Sequence, residues 1–270
     1  RPDVIIHNAA VVGTDVVALH QVEAASTNVG GTANIIRAAN EAAVPVCYLG
    51  TSVIYDVAQY QSSMISEDSI KNPRTLYGQQ KLQAEDFMRR VSRGMILRPL
   101  FAYGGLGDMN SLISKGFYRA LTSDQKIDMF LDPAKTKDYI YVDDFCRAII
   151  TACEIEMWQP GLGTADYNIS AQTPLPVGKI VDQMTKISGV DINGLMKWHP
   201  ETDYLGNHLL SSQKFRQITG WLPQVELQDG LELSWNNIRI NPGSYNPLRY
   251  LEEAQERGEN LSKHFPGGVS

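Results

Sequence analysis

The chain has 270 residues, 43% hydrophobic and 20% charged, which supplies a full apolar core and excludes disordered, low-complexity and collagen-like classes. A net charge of -6, with no Lys/Arg run to follow a phosphate backbone, excludes nucleic acid as an expected partner. No apolar run approaches the roughly 18 residues of a membrane span, and no charged-then-apolar leader opens the chain, so a cytoplasmic protein without a membrane partner is expected.

Val4-Ile5-Ile6-His7 reads as a short strand running into Asn8-Ala9-Ala10, small residues past which a ligand can approach the backbone. Apolar and small residues recur at helical spacing over 22–43, and Pro45 stops that helix. Val46 to Leu49 is a continuous apolar run, the pattern of a strand buried on both faces of a parallel sheet. Strand, helix and strand together make a βαβ unit. After Gly50-Thr51-Ser52-Val53-Ile54-Tyr55 come a polar loop to about Pro73, a helix over 76–91 and a strand over 95–97 that Arg98-Pro99 ends. This alternation predicts an α/β fold with a doubly wound parallel sheet, in which ligands bind beyond the carboxyl ends of the strands. Asn8, Thr51 and Pro99 fall at those ends.

Beyond Gly104 the rhythm is irregular: a helix over 111–121, a strand over 127–130, and the stretch 137–144 opening a helix through Ile150. Asp143 or Asp144 suits the N-cap of that helix. A strand over 167–169 and helices over 177–188, 211–219 and 229–238 follow, with Gly220 ending the third, and 241–270 reads as a peripheral tail. The expected organisation is a core over 1–104 to which 137–170 returns, and a mainly substrate-binding region over 105–240. Cys47, Cys146 and Cys153 are odd in number, lack metal-ligand spacing and are expected to be buried free thiols.

Tyr77-Gly78-Gln79-Gln80-Lys81 is the stretch with candidate chemistry, a chance pairing on a solvated helix face being the plainer alternative. Residues four apart share a helix face, so the Lys81 ammonium can lie beside the Tyr77 phenol. A cation there favours the phenolate and lowers the tyrosine pKa toward working pH, which makes the phenol a usable acid or base.

The order of motifs resembles the extended short-chain dehydrogenase/reductases, in their nucleotide-sugar epimerase/dehydratase branch. The matching stretches are His7-Asn8-Ala9-Ala10, Asn28-Val29-Gly30-Gly31-Thr32, Thr51-Ser52-Val53-Ile54-Tyr55, Tyr77-x-x-x-Lys81 with Glu85, Leu97-Arg98-Pro99 through Tyr103-Gly104, and Lys137-Asp138-Tyr139 through Asp144. The resemblance implies NAD or NADP as cofactor, a Rossmann-like core, and a homodimer that packs the helices over 24–43 and 76–91 as a four-helix bundle. It implies Tyr77 as acid/base and Lys81 as the partner that also binds the nicotinamide ribose. Thr51 would bond the reacting sugar oxygen, Ser52 would lie beside it, and Ala9, Ala10, Asn28 and Pro99 would touch the cofactor. Arg98, Tyr103 and Lys137 would face the nucleotide sugar. Plainer roles stay open for some of these: a turn residue for Thr51, a helix hydrogen bond for Asn28, a strand end for Pro99.

Three departures from the family pattern shape the expectation. Its glycine-rich phosphate loop is not in these residues, so about 60 residues of βα structure are expected upstream of Val4. Gly104-Gly105-Leu106-Gly107 follows the wrong strand to serve. The 4,6-dehydratases of the branch follow their Thr with Asp-Glu, where this chain has Ser52-Val53, which points to epimerisation or net reduction. Lys137 stands where the family often has Arg, and the stretch 198–203 lacks the family's second Arg, so the bidentate diphosphate clamp is weakened; His199 there reads as a loop residue. A reductase of non-sugar carbonyls and a non-catalytic binding protein of the same fold are the alternatives.

Overall fold

The computed structural model describes residues 1–105, 111–122, 125–154 and 163–240. In chain order these form β1 (Ile5–His7), α1 (Thr14–Leu19), α2 (Gln21–Ala25), a π turn (Ser26–Gly31), α3 (Thr32–Ala42), β2 (Val46–Leu49), α4 (Leu76–Met88), β3 (Arg93–Pro99) and β4 (Phe101–Tyr103). Then come α5 (Leu112–Thr122), β5 (Ile127–Met129), β6 (Thr136–Lys137), β7 (Tyr139–Tyr141), α6 (Val142–Glu154), β8 (Gly163–Ile169), β9 (Leu175–Pro176), α7 (Val177–Ser188), β10 (Met196–Trp198), α8 (Gln213–Thr219) and α9 (Leu227–Ile240).

The apolar runs of β2 and β3 are the centre of a four-stranded, all-parallel sheet of order β1-β2-β3-β8. Their side chains alternate between two buried faces. Val46, Tyr48 and Ile96 meet Ile36, Ala39, Ala84 and Met88 of α3 and α4, whereas Cys47, Leu49, Met95 and Leu97 meet Phe145, Ala148 and Ile149 of α6. Helices on both faces make the sheet doubly wound, as the sequence alternation predicts. A second core joins α5, α7 and α9 through Phe117, Ile180, Met184, Leu231 and Ile238.

Several sequence expectations need correction. The helix expected over 22–43 is interrupted by the π turn, which turns the Asn28 side chain inward to the loop after β1. β3 continues through Arg98 and Pro99 because β8 pairs with it from Arg93↔Gly163 to Pro99↔Ile169. Helix α6 starts at Val142, so neither Asp143 nor Asp144 is its N-cap; Asp144 is buried and accepts the backbone N–H groups of Gln224 and Val225, at 2.7 and 3.0 Å. Of the cysteines only Cys47 is buried; Cys153 is half-buried and Cys146, on the outer face of α6, is exposed. The expected tail over 241–270 lies outside the described residues.

Candidate active site

β1, β2 and β3 run parallel, so their carboxyl ends share one edge of the sheet, and Asn8, Ala9, Ala10, Thr51 and Pro99 gather there. Helix α4 enters at the same edge. Its N-cap is Thr75, whose Oγ1 accepts the Gly78 N–H at 3.1 Å. Gly78 lets the first turn press against the chain that follows β2: a Cβ there would meet Pro73 Cβ at 2.8 Å and the Val53 carbonyl at 2.9 Å. This close approach brings the half-buried Tyr77 beside Thr51, whose hydroxyl works to lower the phenol's pKa. Thr51 also caps the short 3-10 turn Ser52–Ile54, accepting the Val53 N–H at 3.4 Å, so the plainer turn role holds alongside the site role.

Lys81, one turn further along α4, is buried under the edge. Its Nζ donates to the Leu49 carbonyl at 2.6 Å and sits 4.4 Å from the centre of the Tyr48 ring. It forms no ion pair with a described residue. Burial lowers its pKa to about 8, against the pull of Glu85. The expected lowering of the Tyr77 pKa by Lys81 is not what this structure shows: burial pushes Tyr77 up to about 12, opposed by the Thr51 hydroxyl. The ammonium is engaged by the Leu49 carbonyl instead.

Asn28 organises the loop after β1. Its Oδ1 accepts the Val11 N–H at 2.8 Å, and its Nδ2 donates to the Val11 carbonyl at 3.0 Å and to Gln80 Oε1 at 2.9 Å. The side chain thus clips the loop that carries Ala9 and Ala10 to α4, and its polar atoms are used in doing so. Ala9 is exposed and Ala10 and Pro99 half-buried, which leaves them open to a ligand.

Three expected substrate contacts are buried elsewhere. Arg98 is fully buried; it makes a bidentate pair with Glu85 (2.9 and 2.8 Å), meets Asp166 at 2.6 Å and donates to the Tyr55 hydroxyl at 2.8 Å. Burial works against that charge, but Glu85, Tyr55 and Asp166 hold its pKa above the ordinary guanidinium value. Lys137 is fully buried, donating to Asp203 Oδ1 at 3.0 Å and to the Gly206 carbonyl at 2.5 Å. Tyr103 lies in the second core, its hydroxyl 3.4 Å from the Leu227 carbonyl. These three are structural, because their polar groups are committed to partners that a ligand cannot displace without leaving a buried charge or hydroxyl unpaired. Ser52 is also buried, at 2% exposure. His199, half-buried on the segment after β10, stacks on Phe130 and bonds Asp128 at 2.6 Å, away from the Tyr77 edge.

Sequence reasoning missed Tyr204, which faces Tyr77, and the groups at its hydroxyl, Thr14 and Thr75. The Thr75 cap is visible as a threonine three residues before Gly78 at a helix start. Nothing local marks Tyr204, which reaches Thr14 across 190 positions of the chain.

Residues 1–170 match the NAD dependent epimerase/dehydratase family. The chain belongs to that family. Among its relatives, a human dTDP-D-glucose 4,6-dehydratase is 24% identical over 94% of this chain and 73% of its own length. A UDP-glucose 4-epimerase of Mycolicibacterium smegmatis is 27% identical over 86% of the chain and 74% of the relative. The fold resembles the crystal structure of a Bacillus cereus UDP-glucuronic acid 4-epimerase with UDP-glucuronic acid and NAD, at a TM-score of 0.77 and 23% identity over 88% of this chain and 76% of that one.

The nicotinamide end of a dinucleotide fits the residues present. An ammonium has three donors, and Lys81 places one on a protein carbonyl; the others are unclaimed by described residues, as a ribose diol at that position requires. Ala9 and Ala10 offer open backbone at the same edge.

Proposed function

We propose that this protein is an NAD(P)-dependent epimerase or ketoreductase of nucleotide sugars in which Tyr77 is the acid/base, Thr51 binds the reacting oxygen and Lys81 holds the nicotinamide ribose. The observation that carries the reading is the placement of Tyr77 beside Thr51 at the carboxyl edge of the sheet, one turn from a buried lysine with donors to spare. Bound cofactor supplies a hydride acceptor or donor. Oxidising a carbinol then requires its proton to leave the same oxygen, and Tyr77 Oη can take it while Thr51 Oγ1 steadies the charge that develops there. In the reverse direction the phenol returns the proton. A positive nicotinamide nearby would favour the phenolate, bringing Tyr77 down from about 12 when the site is filled.

Relatives include both dehydratases and epimerases. Ser52 and Val53 favour the second class, since eliminating water calls for an acid and a base where this chain offers a buried hydroxyl and an apolar side chain. Arg98, Tyr103 and Lys137 being committed, the nucleotide contacts fall to other groups along the C-terminal region. A homodimer through α3 and α4 and a cytoplasmic location complete the reading.

The test is to incubate the protein with NAD(H) or NADP(H) and UDP-glucose, UDP-glucuronic acid or dTDP-glucose, following cofactor redox state and sugar configuration together. Isomerisation without net cofactor consumption identifies an epimerase, and net consumption a reductase. Accumulation of a 4-keto-6-deoxy sugar would contradict the argument from Ser52-Val53, and turnover only of non-sugar ketones would overturn the substrate class.

A further inference from the structure

The segment after β10 is built to aim one side chain. Before Tyr204, Asp203 accepts from Lys137 Nζ (3.0 Å) and from the Asp132, Leu205 and Gly206 N–H groups (3.1, 3.2 and 3.2 Å). After it, Gln61 binds Asn207 three times, at 2.8, 2.9 and 3.3 Å, and packs so close to Gly206 that a Cβ there would collide with the Gln61 amide, at a residue whose φ is +54°. Anchored on both sides, Tyr204 packs against the cluster that holds Ile54 and Leu205, and its hydroxyl meets Thr14 Oγ1 at 3.3 Å and lies beside Thr75.

Those partners are informative. Thr14 opens α1 at the end of the loop after β1, and Thr75 caps the helix that carries Tyr77 two residues later. A single hydroxyl therefore joins the cofactor-side loop, the start of the catalytic helix and the C-terminal region. Thr75 Oγ1 already accepts the Gly78 N–H, so it is free to donate to Tyr204, which can donate onward to Thr14.

The geometry points to Tyr204 as a positioning residue for Tyr77: its hydroxyl clasps Thr14 and Thr75 and so fixes where the Tyr77 phenol sits relative to the sheet edge. This rests on the reading of Tyr77 as the acid/base. The groups that face Tyr77 are Thr51 and Tyr204, and those that face Tyr204 include Asp15 and Asp203. Tyr204 works on Tyr77 in the direction of a raised pKa. Removing its hydroxyl should lower the Tyr77 pKa, both by deleting that influence and by admitting water.

The experiment compares wild type, Tyr204→Phe and Thr14→Val, with Tyr77→Phe as the assignment control. In the ligand-free chain labelled with 13C at the tyrosine ring Cζ, the resonance lost in Tyr77→Phe reports Tyr77 without any turnover. Tyr204→Phe should move its titration down by about half a pH unit. Turnover of UDP-glucose with NAD should fall about tenfold in kcat with KM changed less than about twofold, because a misaligned acid/base weakens the transition state more than ground-state binding. Thr14→Val should shift both in the same direction by less, and it decides the matter if Tyr204→Phe does not fold. An unmoved Tyr77 titration, or a loss confined to KM, overturns the proposal. Full activity in Tyr77→Phe would instead overturn the underlying reading, and the two failures are read from different variants.

Discussion

Two buried cations, Lys81 on α4 and Arg98 on the neighbouring β3, are treated in opposite ways. Arg98 meets Glu85 and Asp166 and the Tyr55 hydroxyl, and the network extends to Asn168 and Glu67 on neighbouring elements. Lys81, one turn from Glu85, has a backbone carbonyl and a tyrosine ring. Both positions belong to motifs that resemble the same family, so sequence alone ranks them alike as site residues. A cation whose charge is matched inside the protein has nothing left to offer a ligand, whereas one that burial leaves short of partners does. The first holds the sheet to the helix, and the second is the better candidate for function.

Exchanging the charges separately should pull these roles apart. The largest effect is expected from Lys81→Met, which should lower turnover by about 100-fold or more while leaving the protein at least as stable, since it removes a charge whose burial is unfavourable. Glu85→Gln should do the reverse in kind: chemical denaturation should show a loss of about 3 to 5 kcal/mol from a broken buried pair. If Glu85→Gln cost no stability and Lys81→Met unfolded the chain, the comparison would be inverted.

The pH dependence sharpens it further. The Lys81 pKa falls from 10.5 to about 8 on folding, so between those values the unfolded chain binds the extra proton and stability rises with pH. From about pH 7.5 to about pH 9.5 the wild type should gain about 2 kcal/mol relative to Lys81→Met, measured by urea titration at each pH. Parallel curves for the two proteins would show that Lys81 is not held under strain. A smaller effect is expected at the helix start. Gly78→Ala forces Pro73 and the Val53 carbonyl away from α4, and should cost about 1 to 3 kcal/mol together with about tenfold in kcat as Tyr77 shifts from Thr51.

Much of this arrangement is legible in the sequence, for local reasons. The continuous runs at Val46 to Leu49 and Met95 to Leu97 announce strands with two buried faces, and the spacing of Tyr77 and Lys81 places both on the buried side of one helix. What was not legible depends on partners far along the chain. Lys137 reads as a ligand contact because Asp203, which neutralises it, lies 66 residues away (203 − 137), and the pairing of Arg98 with Glu85 and Asp166, 13 and 68 residues away (98 − 85 and 166 − 98), forms only when helix and sheet meet. The π turn at Asn28 and the reach of Tyr204 to Thr14 are likewise tertiary facts, and no periodicity encodes them. The Tyr77 pKa departs from the sequence expectation for a related reason: shared helix spacing does not fix which acceptor an ammonium chooses, and here the Leu49 carbonyl wins.

The most direct test of the central claim is rapid mixing of the protein with NAD and UDP-glucose, wild type against Tyr77→Phe, following reduced-nicotinamide absorbance, with sugar binding measured in parallel. If Tyr77 is the acid/base, the wild type should develop that absorbance and the variant should bind the sugar comparably yet react at least about 100-fold more slowly. Equal rates in the two proteins would contradict the assignment.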